Sequence, residues 1–229
     1  MSVPEREVGA AGDQRREQVL RAALDVIVER GFAETRITDV AIRAQVSPAL
    51  VVYYFKTKDG LLTEAMRLGE ESWYAAVANR LREQDTAIGQ LQEIVRMTCF
   101  ADDEAGFPEP WSLWLDLWAQ AAHDPEVAAV RQEFDSHWRS TISDLVRRGQ
   151  RSREFRAVDP DDFAFAFSAL LDGFAVQFAL QDRAVKPERA FAWSMRFAAE
   201  NLGFTWSGRR KNSAKGRSSK SMRGANSNG

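Results

Sequence analysis

An all-α fold of about nine helices is what this sequence predicts, with a three-helix helix-turn-helix domain at the N-terminus and a larger helical domain after it. Three observations carry that expectation. Apolar residues recur at helical spacing in most segments, and no run alternates as a half-buried strand would. Several helix starts are announced by a capping residue followed by proline, at Ser47-Pro48, Asp124-Pro125 and Asp159-Pro160. Between Thr38 and Tyr54 two short helical patterns meet across a tight turn, the geometry of a helix-turn-helix.

Taken in order, residues 1–12 lack periodicity and are expected to be loose. Asp13 is placed to cap the first helix, whose stripe is Leu20, Ala23, Leu24, Ile27 and Val28. Gly31 ends it as a left-handed cap, with Phe32 folding back. Val40, Ala41 and Ala44 form the buried side of the second helix, Gln45 and Val46 interrupt it, and Ser47 opens the third. These elements make a domain of residues 13–57. A linking helix over 58–84 carries Leu61, Leu62, Ala65, Met66, Trp73, Val77 and Leu81, with Gly69 as a weak point. A helix over 87–101 follows, then a break, DDEAGFPEP.

Residues 109–122 place Trp111, Trp114, Leu115 and Trp118 on one helical face, with Leu113 and Leu117 on another and Asp116 opposite the tryptophans. A helix so apolar all round must be buried on most sides. Pro125 opens a long helix that ends in Arg147, Arg148, Arg151 and Arg153, where cations suit the helix dipole. Pro160 opens another with two apolar stripes, Phe163, Phe167, Leu170, Leu171, Phe174 and Phe178 on one and Phe165, Ala169 and Val176 on the other. Two stripes require two partners: the domain core and a second subunit. Pro187 opens the last helix, to about 202, which completes a second domain of residues 58–206. Residues 207–229 are rich in Ser, Gly, Lys and Arg and are expected to be disordered.

Composition narrows the function. The chain has 229 residues, 45% of them apolar, and a net charge of −2. No apolar run approaches the length of a membrane span, no signal pattern opens the chain, and Cys99 is the lone cysteine, so no membrane partner and a cytoplasmic location are expected. Charge is unevenly placed. Arg36, Arg43, Lys56 and Lys58 face only Asp39 around the helix-turn-helix, and seven basic residues beyond Glu200 meet no acid. A basic patch on an acidic body suits a protein that touches DNA on one face. His123 and His137 are the only histidines, and no nucleophile elbow, phosphate loop or zinc-ligand spacing is present, so no catalytic residue, metal or cofactor is expected.

Ala44, Val46, Ser47, Val51, Tyr53, Tyr54, Phe55, Lys56, Lys58, Leu61 and Leu62 together resemble the DNA-binding domain of the TetR family of transcriptional regulators. Gln45 departs from the family's turn glycine, and Ala49 and Leu50 depart from its usual DNA-facing pair, so the operator sequence does not carry over. The later tryptophan helix, Asp-Pro, Arg-rich helix end and Leu-Asp-Gly are similar to the choline-responsive BetI-type branch. The resemblance implies a homodimeric repressor, paired through its last two helices and released from an inverted-repeat operator on double-stranded DNA by a small-molecule effector. An effector-independent DNA-binding protein, or a helical ligand-binding or enzymatic protein with an incidental helix-turn-helix-like segment, are the alternatives.

Candidate DNA contacts follow from side-chain chemistry. Tyr53, Lys58 and Thr38 can reach phosphates. Ser47, Pro48, Ala49 and Leu50 form the front of the recognition helix, so base reading rests on thymine methyls and on Tyr54 or Arg43. Trp73, Trp111, Trp114, Trp118 and Trp138 fall in the helices that enclose the effector cavity in the family, although aromatic core is the plain reading of any one of them. Asp172, in an otherwise apolar stretch, needs an arginine, a Trp N–H or a cationic ligand. Tryptophan faces beside an acid suit a cation such as an amine.

Overall fold

The computed structural model describes residues 5–100 and 111–208, without the side chains of residues 5–11 and Ser112. Among the described residues there are nine helices and no strand: α1 (Glu5–Arg30), α2 (Ile37–Arg43), α3 (Pro48–Phe55), α4 (Lys58–Arg82), α5 (Ala87–Cys99), α6 (Trp111–Ala121), α7 (Pro125–Arg151), α8 (Pro160–Ala179) and α9 (Pro187–Leu202). The expected break at DDEAGFPEP and nearly all of the expected disordered tail lie outside the described residues.

Helix boundaries follow the capping logic with one correction. Ser47 Oγ accepts from Leu50 N, Thr57 Oγ1 from Gly60 N, and Asp124 and Asp159 each accept two first-turn amides. Asp13, however, caps nothing, because α1 begins eight residues earlier at Glu5. The stretch expected to be loose is helical from Glu5 onward. Ala10 and Ala11 favour helix by residue type, which outweighs the cost of Gly9 and Gly12. Likewise α4 runs unbroken through Gly69, which is buried.

Packing divides the apolar residues into two cores. The first joins Val19, Ala23 and Ile27 of α1, Val40 and Ala41 of α2, Val51 and Phe55 of α3 and Leu61, Leu62 and Met66 of α4. It also takes in Leu113 and Leu117 of α6 and Val127, Val130 and Phe134 of α7. The helix-turn-helix therefore shares its interior with two helices of the second half. The other core gathers α5, the later half of α7, α8 and α9 around Leu91, Ile94, Ile142, Leu145, Phe167, Leu171 and Met195. By length and apolar composition alone α8 could cross a membrane. It opens with Asp161 and Asp162, however, and packs against α5, α6, α7 and α9.

One joint connects the halves with a directed bond. Gly31 closes α1 at φ 84°, and the next amide, Phe32 N, donates to Asp116 Oδ2 of α6 at 3.2 Å. A Cβ on Gly31 would lie 2.6 Å from that same oxygen. Gly31→Ala is thus expected to lower stability by about 1–2 kcal/mol from the left-handed backbone alone. Gly12→Ala, mid-helix with open space around the added methyl, is expected to raise it by about 0.5–1 kcal/mol. Chemical denaturation midpoints check both.

Candidate DNA-contact face and effector cavity

The turn between α2 and α3 is made by Gln45 at φ 54°, the left-handed conformation that glycine adopts without steric cost. Below it, Val51 and Phe55 bury the inner side of α3, which fixes what the outer side presents. Thr38, Ser47, Pro48 and Ala49 are exposed there, and Tyr53 is 68% exposed. Leu50 is half-buried. Tyr54 turns inward to pack against the first core, its ring 5.4 Å from that of Tyr53. Arg43 is tied to Glu29 by two hydrogen bonds of 2.7 and 2.6 Å, so the structure gives both expected base readers partners within the protein. Lys58 Nζ donates to Ala33 O at 2.7 Å, which holds its ammonium at the start of α4 beside the α1–α2 connection.

Sequence reasoning missed two residues of this face and gave a third, Lys56, only a charge. Ile42 is 77% exposed and Val52 44%, so the surface is more apolar than the expected set. Lys56 stands over the Tyr53 ring at 5.4 Å and donates to Tyr53 O. The signal for Ile42 and Val52 was available: both fall off the buried stripe of their helices.

On the far side of α6 lies a narrow cavity of ≈ 60 Å³. All six residues expected at an effector site line it together: Trp73 from α4, Trp111, Trp114 and Trp118 from α6, Trp138 from α7 and Asp172 from α8. The rings of Trp73 and Trp138 are 5.5 Å apart, and Trp114 meets Phe134 edge-on at 5.9 Å. Asp172 makes no hydrogen bond or ion pair among the described residues. Burial pushes its carboxyl up to about 6, Asp135 adds to the effect, and Arg131 and Arg139 oppose it.

Two further acids share this wall, and sequence reasoning passed over them. Glu70 of α4 is 8% exposed, and burial, with Glu133 adding, pushes it up to about 7. Its Oε1 accepts no hydrogen bond among the described residues, and His137 Nδ1 stands 3.6 Å away. Asp135 of α7 is also raised by burial, against Arg131, which it contacts at 2.6 Å. Tyr74 stacks on His137 with centroids 3.9 Å apart, and its hydroxyl is held protonated by burial and by Glu70. A pattern could have pointed to these acids. Glu70 precedes Trp73 by three residues and Asp135 precedes Trp138 by three, a spacing that sets acid and indole side by side on a helix. Among the described residues, no group of His, Cys, Asp and Glu could hold a metal ion.

Comparison with known proteins adds the family. Residues 19–65 match the model of bacterial regulatory proteins of the tetR family, and residues 87–203 match that of the BetI-type transcriptional repressor C-terminal domain. The HTH-type transcriptional regulator BetI of Escherichia coli K12 is 30% identical over 190 residues, covering 82% of this chain and 94% of that one. Its counterpart in Cronobacter sakazakii is 28% identical over 188 residues, with 82% and 91% covered. A transcriptional regulator from Saccharomonospora viridis, solved in complex with choline, superposes with TM-score 0.70 at 26% identity over 83% of this chain and 98% of that one. A TetR-family regulator from Cytophaga hutchinsonii reaches 0.72 at 18% identity over 84% and 96%, a likeness of fold. With a helix-turn-helix packed on a helical domain and both halves matched, the chain belongs to the TetR family of transcriptional regulators and has the C-terminal domain of a BetI-type repressor.

Proposed function

We propose that the protein is a cytoplasmic homodimer that represses from an inverted-repeat operator and is released when a small cationic effector enters the tryptophan-lined cavity. Residues 13–57 engage DNA in this reading, and 58–206 bind the effector and the second subunit. The observation that carries it is the position of α6. Trp111, Trp114 and Trp118 line the cavity, while Leu113 and Leu117 of the same helix lie in the core of the helix-turn-helix and Asp116 holds Phe32 N. A ligand that presses on the indoles displaces a helix the DNA-contact domain is packed on. A rigid two-fold dimer reads two half-sites at one spacing, so a shift of that domain lowers affinity for the operator.

Cavity chemistry supports the class of effector. At ≈ 60 Å³ there is room for roughly four to six water-sized groups, which suits a small molecule. Indole faces attract cations, and a carboxylate lacking a partner adds charge pairing in a site poor in water. The choline held by the Saccharomonospora viridis relative fits that class. Operator release by choline, followed with tryptophan fluorescence, tests the reading; release by neutral or acidic compounds with no response to any cation overturns it.

Choline is permanently charged, so the pH dependence of its binding reports the protein. With Glu70 at about 7 and Asp172 at about 6, both carboxyls are mostly neutral at low pH and ionise as pH rises. Cation affinity is expected to rise by about tenfold or more between roughly pH 5.5 and 8. The stability linkage runs the opposite way. Both folded values lie above the ordinary carboxylate range, so the ligand-free folded state binds the extra protons. These two groups then contribute less stability as pH rises from about 4 to 7. Fluorescence titrations and melting temperatures across that range measure both; a flat choline affinity removes the carboxylates from the site.

The apolar DNA face generates a separate expectation. Replacing thymine by deoxyuridine at contacted operator positions deletes one methyl each, costing up to about 0.8 kcal/mol per position. Lys58→Ala should instead weaken all sequences alike and lower the salt slope by about one. Gel-shift titrations separate the two effects.

For the dimer, Phe165 is 69% exposed, Leu180 66% and Trp193 49%, and the exposed Ala166, Ala169 and Gly173 let a second helix approach α8 closely. Phe165→Arg with Gly173→Arg should yield a folded monomer by light scattering that no longer protects the operator.

A further inference from the structure

Among the described residues, several acids outside the cavity are matched. Glu154 accepts the amides of Ala87 and Ile88 at the start of α5 at 3.0 and 3.1 Å. Asp161 bonds Ser143 and Arg147, and Glu93 lies between Arg80 and Arg96 at 2.7 and 2.9 Å. The cavity breaks the pattern twice. Asp172 has no hydrogen-bond or ion-pair partner among the described residues, and Glu70, with a side chain 9% exposed, leaves Oε1 without a hydrogen bond. A single small cation pairs with one of these carboxylates and leaves the other.

The two acids occupy separate neighbourhoods of one cavity. Glu70 comes from α4 and feels Glu133, Arg67 and Glu71; Asp172 comes from α8 and feels Asp135, Arg131 and Arg139. Both line the cavity, and Tyr74 lines it with them. Aromatic walls from Trp73, Tyr74 and Trp138 join them. His137 is a poor match for Glu70, since at 3.6 Å it is beyond hydrogen-bond reach and its side chain is 56% exposed.

We propose that the cavity is built for a two-headed cation, a short α,ω-diamine, with one ammonium at Asp172 and the other at Glu70. This deepens the cationic-effector reading above and rests on it. Six heavy atoms in line, as in 1,4-diaminobutane, match a space for roughly four to six water-sized groups and give each carboxylate a cation. The methylene chain lies along indole faces that a second charge would otherwise leave uncompensated.

The test measures binding of 1,4-diaminobutane, butylamine and choline to the full-length dimer by calorimetry, in wild type, Glu70→Gln and Asp172→Asn. The diamine should bind wild type about tenfold or more tighter than butylamine, the effect of one added charge pair in a site poor in water. Glu70→Gln should remove that advantage, weakening the diamine about tenfold or more and butylamine and choline by clearly less, and Asp172→Asn should weaken all three. Equal affinity for diamine and monoamine, or a Glu70→Gln variant that loses all three ligands alike, overturns the two-headed site and leaves the cationic reading standing. Failure of every cation to bind wild type instead removes the cationic reading itself. A melting curve with each variant shows that the fold is intact.

Discussion

The structure depends on one helix serving two interiors. Although α6 is apolar on nearly every side, only Leu113 and Leu117 are buried, and its other apolar residues are half-buried or, at Ala119, exposed. Leu113 and Leu117 go into the core that Val51 and Phe55 of the recognition helix also occupy, Trp111 and Trp118 line the cavity, and Trp114 touches both. Asp116 adds direction to what would otherwise be a greasy contact, since its bond to Phe32 N fixes where α1 ends relative to α6. The cavity and the core of the helix-turn-helix thereby meet at α6 and α7, where Trp114 and Phe134 belong to both. Packed cores shift between discrete arrangements rather than deform smoothly, which is what a binding event needs in order to be felt on the far side.

Cavity and core are made of the same residue types but obey different energetics. In the second core the rings of Phe163 and Phe167 stack 5.0 Å apart, with Phe197 packed beside both. In the cavity, carboxyls stand among tryptophans, where the charged form costs several kcal/mol unless something pairs with it. The protein bears that cost partly by letting the groups hold protons, which is why Glu70 rises to about 7. Sites that break the rule of paired buried charge are where function is to be sought.

Much of this was legible in the chain. The apolar positions of α1 and α4, the caps at Ser47, Asp124 and Asp159, and the left-handed end at Gly31 all follow from local chemistry, and the structure has them where spacing put them. The six expected cavity residues were found because tryptophan is bulky enough to be conspicuous, and an acid in an apolar helix equally so. Glu70 and Asp135 were overlooked because α4 and α7 carry many acids, and periodicity alone does not say which of them turns inward. The start of α1 was misplaced because two glycines hid a run of good helix formers.

By itself the sequence determined the helices, their order and the kind of face each presents, because those follow from side chains at most four residues apart. It also determined the DNA-binding motif, since cap, turn and recognition helix lie within one short stretch. Only the tertiary structure decided that Arg43 is tied to Glu29, that Tyr54 turns inward while Ile42 and Val52 stay out, and that acids from α4, α7 and α8 converge on one aromatic cavity. The reason is geometric. A residue's partner across 14 positions of chain, as for Arg43 and Glu29, or 84, as for Phe32 and Asp116, is chosen by how helices cross, and crossing angles belong to the packing of whole ridges rather than to any local pattern.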